Sequence, residues 1–215
     1  MKALMASIRK RLLRGRTISS QNYWNERYAK GGNSGPGSYG ELAAFKARVL
    51  NDFVREKELE SVIEFGCGDG NQLGLAAYPK YIGYDVSAAA ISMCRKRFAG
   101  DDSKEFFLAH DYDGRQADLA LSLDVIFHLT EDEVFDAYMR RLFVAGRRYV
   151  VVYSSDRDEV LYPAAIHVRH RHFTAWVERE LGGAWTLAQK IANDHPYNGD
   201  FRTTTFSDFF IYEKR

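Results

Sequence analysis

The stretch VIEFGCGDGNQ, Val62–Gln72, followed by YIGYDVS, Tyr81–Ser87, decides how the rest of this chain is read. The first piece is an apolar β-type run that breaks into three glycines, Gly66, Gly68 and Gly70. The second is another apolar run, and it ends in an acid, Asp85. Glycine carries no Cβ, so a glycine turn after a strand lets backbone approach a ligand closely. An acid at the tip of the next strand, about 20 residues on, can accept from both hydroxyls of a ribose. Together they describe a nucleoside-binding βαβ unit. The spacing G-x-G-x-G is not the G-x-G-x-x-G of a dinucleotide loop and fits a dinucleotide poorly.

The pattern around this unit is regular. Strands are expected at 61–66, 81–85, 104–110, 117–125, 147–155, 185–192 and 206–215. Helices are expected at 20–30, 39–56, 70–78, 87–98 (capped by Ser87), 130–145 (capped by Thr130 and stopped by Gly146) and 173–181. Strand–helix alternation demands a mostly parallel sheet with helices on both faces. The last two strands have only a loop between them, so they should pair antiparallel. Gly31–Gly40, GGNSGPGSYG, reads as a mobile loop.

Glu64 ahead of the glycines completes E-x-G-x-G-x-G. With Asp85 this resembles the first motif of the class I S-adenosylmethionine-dependent methyltransferases, over about residues 40–215. The resemblance implies an α/β fold: a Rossmann-like, doubly wound, seven-stranded, mostly parallel sheet with an antiparallel last strand. It implies S-adenosyl-L-methionine as cofactor. Glu64, Gly66, Cys67, Gly68 and Gly70 would meet its methionine part, and Asp85 with Val86 its ribose. Asp111 would meet the adenine amino group and Tyr112 the ring, with Asp113 a competitor for the acid's role. Ser122, Leu123 and Asp124 would lie near the transferred methyl. Trp24 and Tyr28, on an N-terminal helix, would fold over the cofactor, making the glycine-rich loop a lid hinge. Packing of that helix beside a floppy loop is the plainer reading. Asp69 and Asn71 share the glycine loop and face either ligand or solvent.

Asp124 and His128 are four apart, so in a helical turn they share a face. An acid could then orient an imidazole, and the imidazole could take a proton from an acceptor hydroxyl. His128 can equally be structural or touch the cofactor. The run HVRHRHF holds His167, Arg169, His170, Arg171 and His172. With no acid or cysteine in the run to complete a ligand set, no metal site is assigned. A charged surface competes with an anion or sugar clamp built from Arg169, His170 and Arg171, with Tyr39 as a stacking face.

The net charge of +1 gives no global pull toward nucleic acid. Two cysteines, Cys67 and Cys94, make no disulfide framework and suit a reducing, cytoplasmic setting. Residues 1–19 are basic and amphipathic and suit a helix packed on the domain, a solvated tail, or contact with a membrane surface or partner enzyme. Residues 20–58 read as the lid and loop, and 59–215 as the catalytic core. The whole chain also looks like small methyltransferases of bacterial surface-polysaccharide assembly, which points to O-methylation of a sugar or glycan hydroxyl on an acceptor that carries polar or anionic groups. A natural-product O- or N-methyltransferase is the first rival and would have a closed, apolar acceptor pocket. A cofactor-binding module without activity is the second, and a Rossmann oxidoreductase the third.

Overall fold

Val62–Phe65 (β1) is buried along its whole length because it sits mid-sheet with parallel neighbours on both sides. The computed structural model describes residues 19–158 and 167–215. The expectations for residues 1–18, the basic segment, lie outside the described residues. Helices Ser20–Ala29 (α1) and Gly40–Glu56 (α2) come first. Then follow Tyr81–Asp85 (β2), Ala88–Arg97 (α3), Lys104–Leu108 (β3), Ala117–Leu123 (β4), Asp132–Ala145 (α4) and Gly146–Ser154 (β5). Phe173–Leu181 (α5), Trp185–Ile191 (β6) and Asp208–Lys214 (β7) complete the described elements.

The strands form a seven-stranded sheet in the order β3-β2-β1-β4-β5-β7-β6. Pairs from β3 across to β5 are parallel, and β7 runs antiparallel to both β5 and β6. This is the Rossmann-like sheet the sequence implied. The two-residue period of each strand splits the core into two layers. Leu119, Leu121, Val151 and Phe209 pack with Phe45, Leu50 and Phe53 of α2. Ala120, Val150, Val152 and Phe210 pack with Phe135, Met139 and Leu142 of α4 and Phe173 of α5.

Three local expectations need correcting. No α-helix forms at 70–78; only a 3₁₀ turn, Leu73–Leu75, lies between β1 and β2. Gly70, Gly74 and Pro79 weaken helix there. The segment is bonded to α2 instead: the Gln72 side chain donates through Nε2 to Ala43 O at 3.0 Å, and the backbone of Leu75 and Ala77 meets Asn51, whose Nδ2 donates to Leu75 O at 3.0 Å while Ala77 N donates to its Oδ1 at 2.8 Å. Thr130 is not the cap of α4; Glu131 holds that position, and Thr130 Oγ1 donates to Glu131 Oε2 at 3.1 Å. Strand β4 stops at Leu123, because Asp124 turns into the left-handed region at φ +58°.

The glycine-rich loop is fastened rather than loose. Ser34 N–H and Tyr39 Oη both donate to Asp69 Oδ2, at 2.9 and 2.7 Å, and Asn71 Nδ2 donates to Ser38 O at 2.7 Å. Asp69 and Asn71 therefore hold loop to loop. Burial alone would raise the Asp69 carboxyl, but these donors together keep it below its ordinary value.

Candidate active site

Strand order reverses between β1 and β4, and ligands in open α/β sheets bind at that switch, beyond the strand carboxyl ends. A cavity of about 520 Å³ opens there, lined among others by Glu64, Gly66, Gly68, Asp85, Val86 and Leu123. Asp85 forms one side. Its Oδ2 accepts from Gly68 N–H and its Oδ1 from Ser87 N–H, both at 2.9 Å. These bonds fix the carboxylate while leaving lone pairs for a ligand's hydroxyls. Burial pushes its pKa up to about 6, against the pull of those backbone donors. Glu64 accepts from Tyr81 Oη at 2.6 Å, and burial carries it to about 7.

The three glycines do different jobs. Gly66 has φ +88°, and a Cβ there would lie 2.4 Å from Val125 Cγ2. A Cβ at Gly70 would meet Phe98 Cε2 at 2.9 Å and Cys94 Sγ at 3.0 Å, so that glycine lets α3 close on the loop. Cys67 lines the cavity, and Cys94 Sγ donates to Gly68 O at 3.2 Å. Trp24 and Tyr28 of α1 reach the same cavity, with Tyr28 Oη 2.9 Å from Ser34 Oγ.

A second cavity of about 300 Å³ adjoins the first, and the two share Trp24, Ser34, Ser38, Asp124 and His128. Its walls include Phe127, His167, Val168, Phe201, Thr204, Thr205 and Phe206. His128 closes a 3₁₀ turn, Ile126–His128. Its Nδ1 lies 3.0 Å from the carbonyl oxygen of His167, which makes Nδ1 the protonated nitrogen and leaves Nε2 as an acceptor. Burial lowers its pKa to about 4, so the ring is neutral near pH 7. Trp24 meets the ring edge-on with centroids 4.9 Å apart, and His167 stacks on Tyr23 at 4.1 Å.

Asp124 does not orient His128 through a hydrogen bond. Its Oδ2 takes Lys46 Nζ at 2.8 Å and its Oδ1 takes Ser207 Oγ at 2.9 Å. The left-handed backbone at Asp124 breaks the helical register that would have put the two side chains on one face.

Several other expected residues lie away from the cavities. Asp111 is exposed and lies 3.5 Å from His110 Nε2; Ala109 and His110 line that edge instead. Strand β3 ends at Leu108, earlier than expected, and the 3₁₀ turn Ala109–Asp111 rotates the acid outward. Tyr112 packs on Phe65 and Tyr84 and donates to Arg115 O at 2.9 Å. Ser122 is buried 2.8 Å from Tyr138 Oη. Tyr39 is spent on Asp69. The Arg/His run is scattered: Arg171 Nη1 donates to Leu129 O at 2.6 Å, Arg169 pairs with Asp132 at 2.9 Å, and His170 Nδ1 sits 2.6 Å from Ser155 Oγ. The arginines tie the segment to the start of α4 and His170 ties it to the end of β5, so the three form no open clamp.

Sequence reading missed Lys46, which is 1% exposed. The signal existed: Lys46 falls between Leu42 and Leu50 on the apolar stripe of α2, one turn from each. It also missed the β6–β7 loop, whose Thr204–Phe206 segment walls the second cavity. Nothing local marks that loop.

Residues 63–150 match the family model described as "Methyltransferase domain". Those residues, less than half of the chain, are similar to a methyltransferase domain. The N-methyltransferase NodS from Bradyrhizobium japonicum WM9, solved with S-adenosyl-L-homocysteine, is similar in fold at TM-score 0.66 and 14% identity, over 92% of this chain and 98% of that one. So is the magnesium protoporphyrin IX methyltransferase ChlM from Synechocystis PCC 6803 with bound S-adenosylmethionine, at TM-score 0.63 and 15% identity, over 92% and 98%. The methyltransferase domain of bacterial CtHen1-C gives 0.61 at 17% identity, over 79% and 96%. No curated protein matches the sequence significantly. The methyltransferase is of the S-adenosylmethionine-dependent class, and its first cavity fits that cofactor. The fixed carboxylate of Asp85 could accept from ribose hydroxyls there, and Glu64 lines the same cavity.

Proposed function

We propose that the protein transfers the methyl group of S-adenosylmethionine to a hydroxyl of a compact, ring-sized acceptor held in the second cavity. The observation that carries this reading is His128 at the seam of the two cavities, with Nδ1 spent on the His167 carbonyl and Nε2 left to accept. The bound cofactor supplies a methyl made electrophilic by its sulfonium. His128 Nε2 takes the proton that the acceptor hydroxyl loses as its oxygen meets that methyl. The seam aligns the two reactants, and Trp24 and Phe127 keep water from the reacting atoms.

O-methylation of a sugar hydroxyl on a glycan or its precursor remains within this reading when the acceptor offers one ring at a time. An extended anionic glycan held by arginines is less well supported, since Arg169 and Arg171 are engaged with Asp132, Thr130 and Leu129. The rings of Trp24, Phe127, Phe201 and Phe206 in the wall of the second cavity favour a small acceptor with a flat or apolar face.

Calorimetry with S-adenosylmethionine and S-adenosylhomocysteine tests the cofactor half, with micromolar binding expected and NAD inert. Single-turnover methyl transfer at saturating cofactor tests the base: His128→Ala should slow it by roughly 10²–10⁴. An unchanged rate removes His128 from the chemistry. The neutral ring also predicts a flat rate between pH 6 and 8 at saturating cofactor, because its proton leaves at about pH 4.

A further inference from the structure

The seam between the cavities holds two hydrogen-bond acceptors, each with its remaining positions already fixed. His128 offers Nε2. Asp124 accepts from Lys46 and Ser207, one on each oxygen, and its side chain keeps 20% exposure, all of its cavity contacts being with the same two spaces that His128 lines. A carboxylate has about four lone-pair positions, so two remain for a ligand. Three separated elements converge to hold Asp124: α2 through Lys46, the end of β4, and the residue before β7. Its left-handed backbone costs on the order of a kilocalorie per mole for a residue with a Cβ. Strain of this kind, held by a buried lysine, marks a position where the carboxylate's placement matters.

We infer that the second cavity takes a neutral ring bearing two adjacent hydroxyls. One hydroxyl donates to Asp124 and anchors the ring; its neighbour donates to His128 Nε2 and is the one methylated. Asp124 is thus a specificity-determining residue and Lys46 a positioning residue. The inference rests on the methyl-transfer reading above and names its substrate class. Charge balance selects a neutral ligand. Lys46 already neutralises Asp124, and burial keeps His128 uncharged, so a cationic amine finds no free negative charge here. The rings of Trp24, Phe127 and Phe206 supply flat apolar faces for the body of the ligand. The reaction balances simply: the oxygen–hydrogen bond breaks toward His128, an oxygen–carbon bond forms, and the carbon–sulfur bond breaks to leave S-adenosylhomocysteine. The product is a monomethyl ether: the hydroxyl on His128 is methylated, and the one hydrogen-bonded to Asp124 keeps its proton.

An adjacent diol occurs both on aromatic rings and on sugars, and the test separates the two. Protein saturated with S-adenosylhomocysteine is titrated with catechol against phenol, with methyl α-mannoside against its 2-deoxy analogue, and with benzylamine, read by calorimetry or saturation-transfer NMR. One diol should bind roughly tenfold or more tightly than its single-hydroxyl counterpart, the discrimination expected of a lost hydrogen bond to a charged group. The pair showing it identifies an aromatic or a sugar source. Asp124→Asn should shrink that preference, read as the ratio of diol to single-hydroxyl affinity at saturating S-adenosylhomocysteine. Equal binding of diol and mono-ol, no binding of any probe, or a preference for benzylamine overturns the inference. The comparison needs only the unaltered protein, so a poorly folding variant does not weaken it. Failure of S-adenosylhomocysteine to bind is a separate result that overturns the methyl-transfer reading itself.

Discussion

The two halves of the site are built differently. On the side proposed for the cofactor, Gly66, Gly68 and Asp85 come from two consecutive strands and the turn between them, and Gly68 N–H donates to the Asp85 carboxylate. On the side proposed for the acceptor, Trp24, Lys46, Asp124, His128, His167, Thr204 and Ser207 come from segments scattered along the described chain, joined by bonds such as Lys46–Asp124 and Asp124–Ser207. A site assembled from neighbours in sequence is specified by backbone geometry. A site assembled from distant segments is specified by buried side-chain partnerships, and these should be the more fragile.

The sharpest test of that contrast is Asp124→Ala. It strands the Lys46 ammonium, 1% exposed, without its carboxylate. Removing one member of a buried ion pair typically costs about 3–5 kcal/mol. Urea unfolding should show a loss in that range. A loss below about 1 kcal/mol would mean that Lys46 finds another partner, Glu64 being the charged group already coupled to it.

Gly66→Ala should come next, at about 2–3 kcal/mol. Its φ of +88° disfavours a Cβ, and that Cβ would sit 2.4 Å from Val125 Cγ2. Val125 lies just after Asp124, so this glycine is where the two halves touch. Adding Val125→Ala should return part of the loss in a double-mutant cycle. Strict additivity would show that the cost is backbone strain alone.

How much was legible follows the same division. The strand–glycine–strand–acid order could be read because its residues act within one βαβ unit, so linear spacing reports spatial proximity. The antiparallel end of the sheet was legible from loop length. Asp111 misled because a strand ending at Leu108 instead of His110, two residues early, turns an acid from a cavity to solvent. Asp124 and His128 misled because four-residue spacing assumes a helix, whereas a left-handed residue stands between strand and turn. Lys46 was visible as a charge on an apolar stripe, but its partner lay 78 residues away. The Arg/His run looked functional as a composition, yet its charges meet Asp132 and main-chain carbonyls at the start of α4.

Asp85 sharpens the comparison through pH. Its folded pKa, about 6, lies above the ordinary carboxylate value of 3.8, so burial favours its protonated form. The stability from that proton is fully present below about pH 4 and is lost as pH rises through about 6. A cofactor that needs the carboxylate must expel the proton. Affinity for S-adenosylhomocysteine should therefore fall about tenfold from pH 7 to pH 5. Asp85→Asn should weaken binding by about 1–3 kcal/mol at pH 7 and flatten this dependence. An unchanged pH slope in the variant would assign the proton to Glu64, whose value of about 7 lies in the same window.

The smallest effect belongs to Arg169→Ala. Its guanidinium is 47% exposed and its partner Asp132 67% exposed, so the ion pair is worth at most about 1 kcal/mol. The bond to Thr130 O is also at the surface, where water can replace it. The backbone N–H of Arg169 still donates to Phe127 O at 2.8 Å, and this bond survives the substitution. The segment carrying His167 should stay in place, and with it the carbonyl that holds His128 in its neutral tautomer. Urea unfolding should register a loss below about 1 kcal/mol, with single-turnover methyl transfer unchanged. A large drop in acceptor affinity with unaltered stability would return Arg169 to the acceptor site, and the acceptor half would then extend across the surface toward α4.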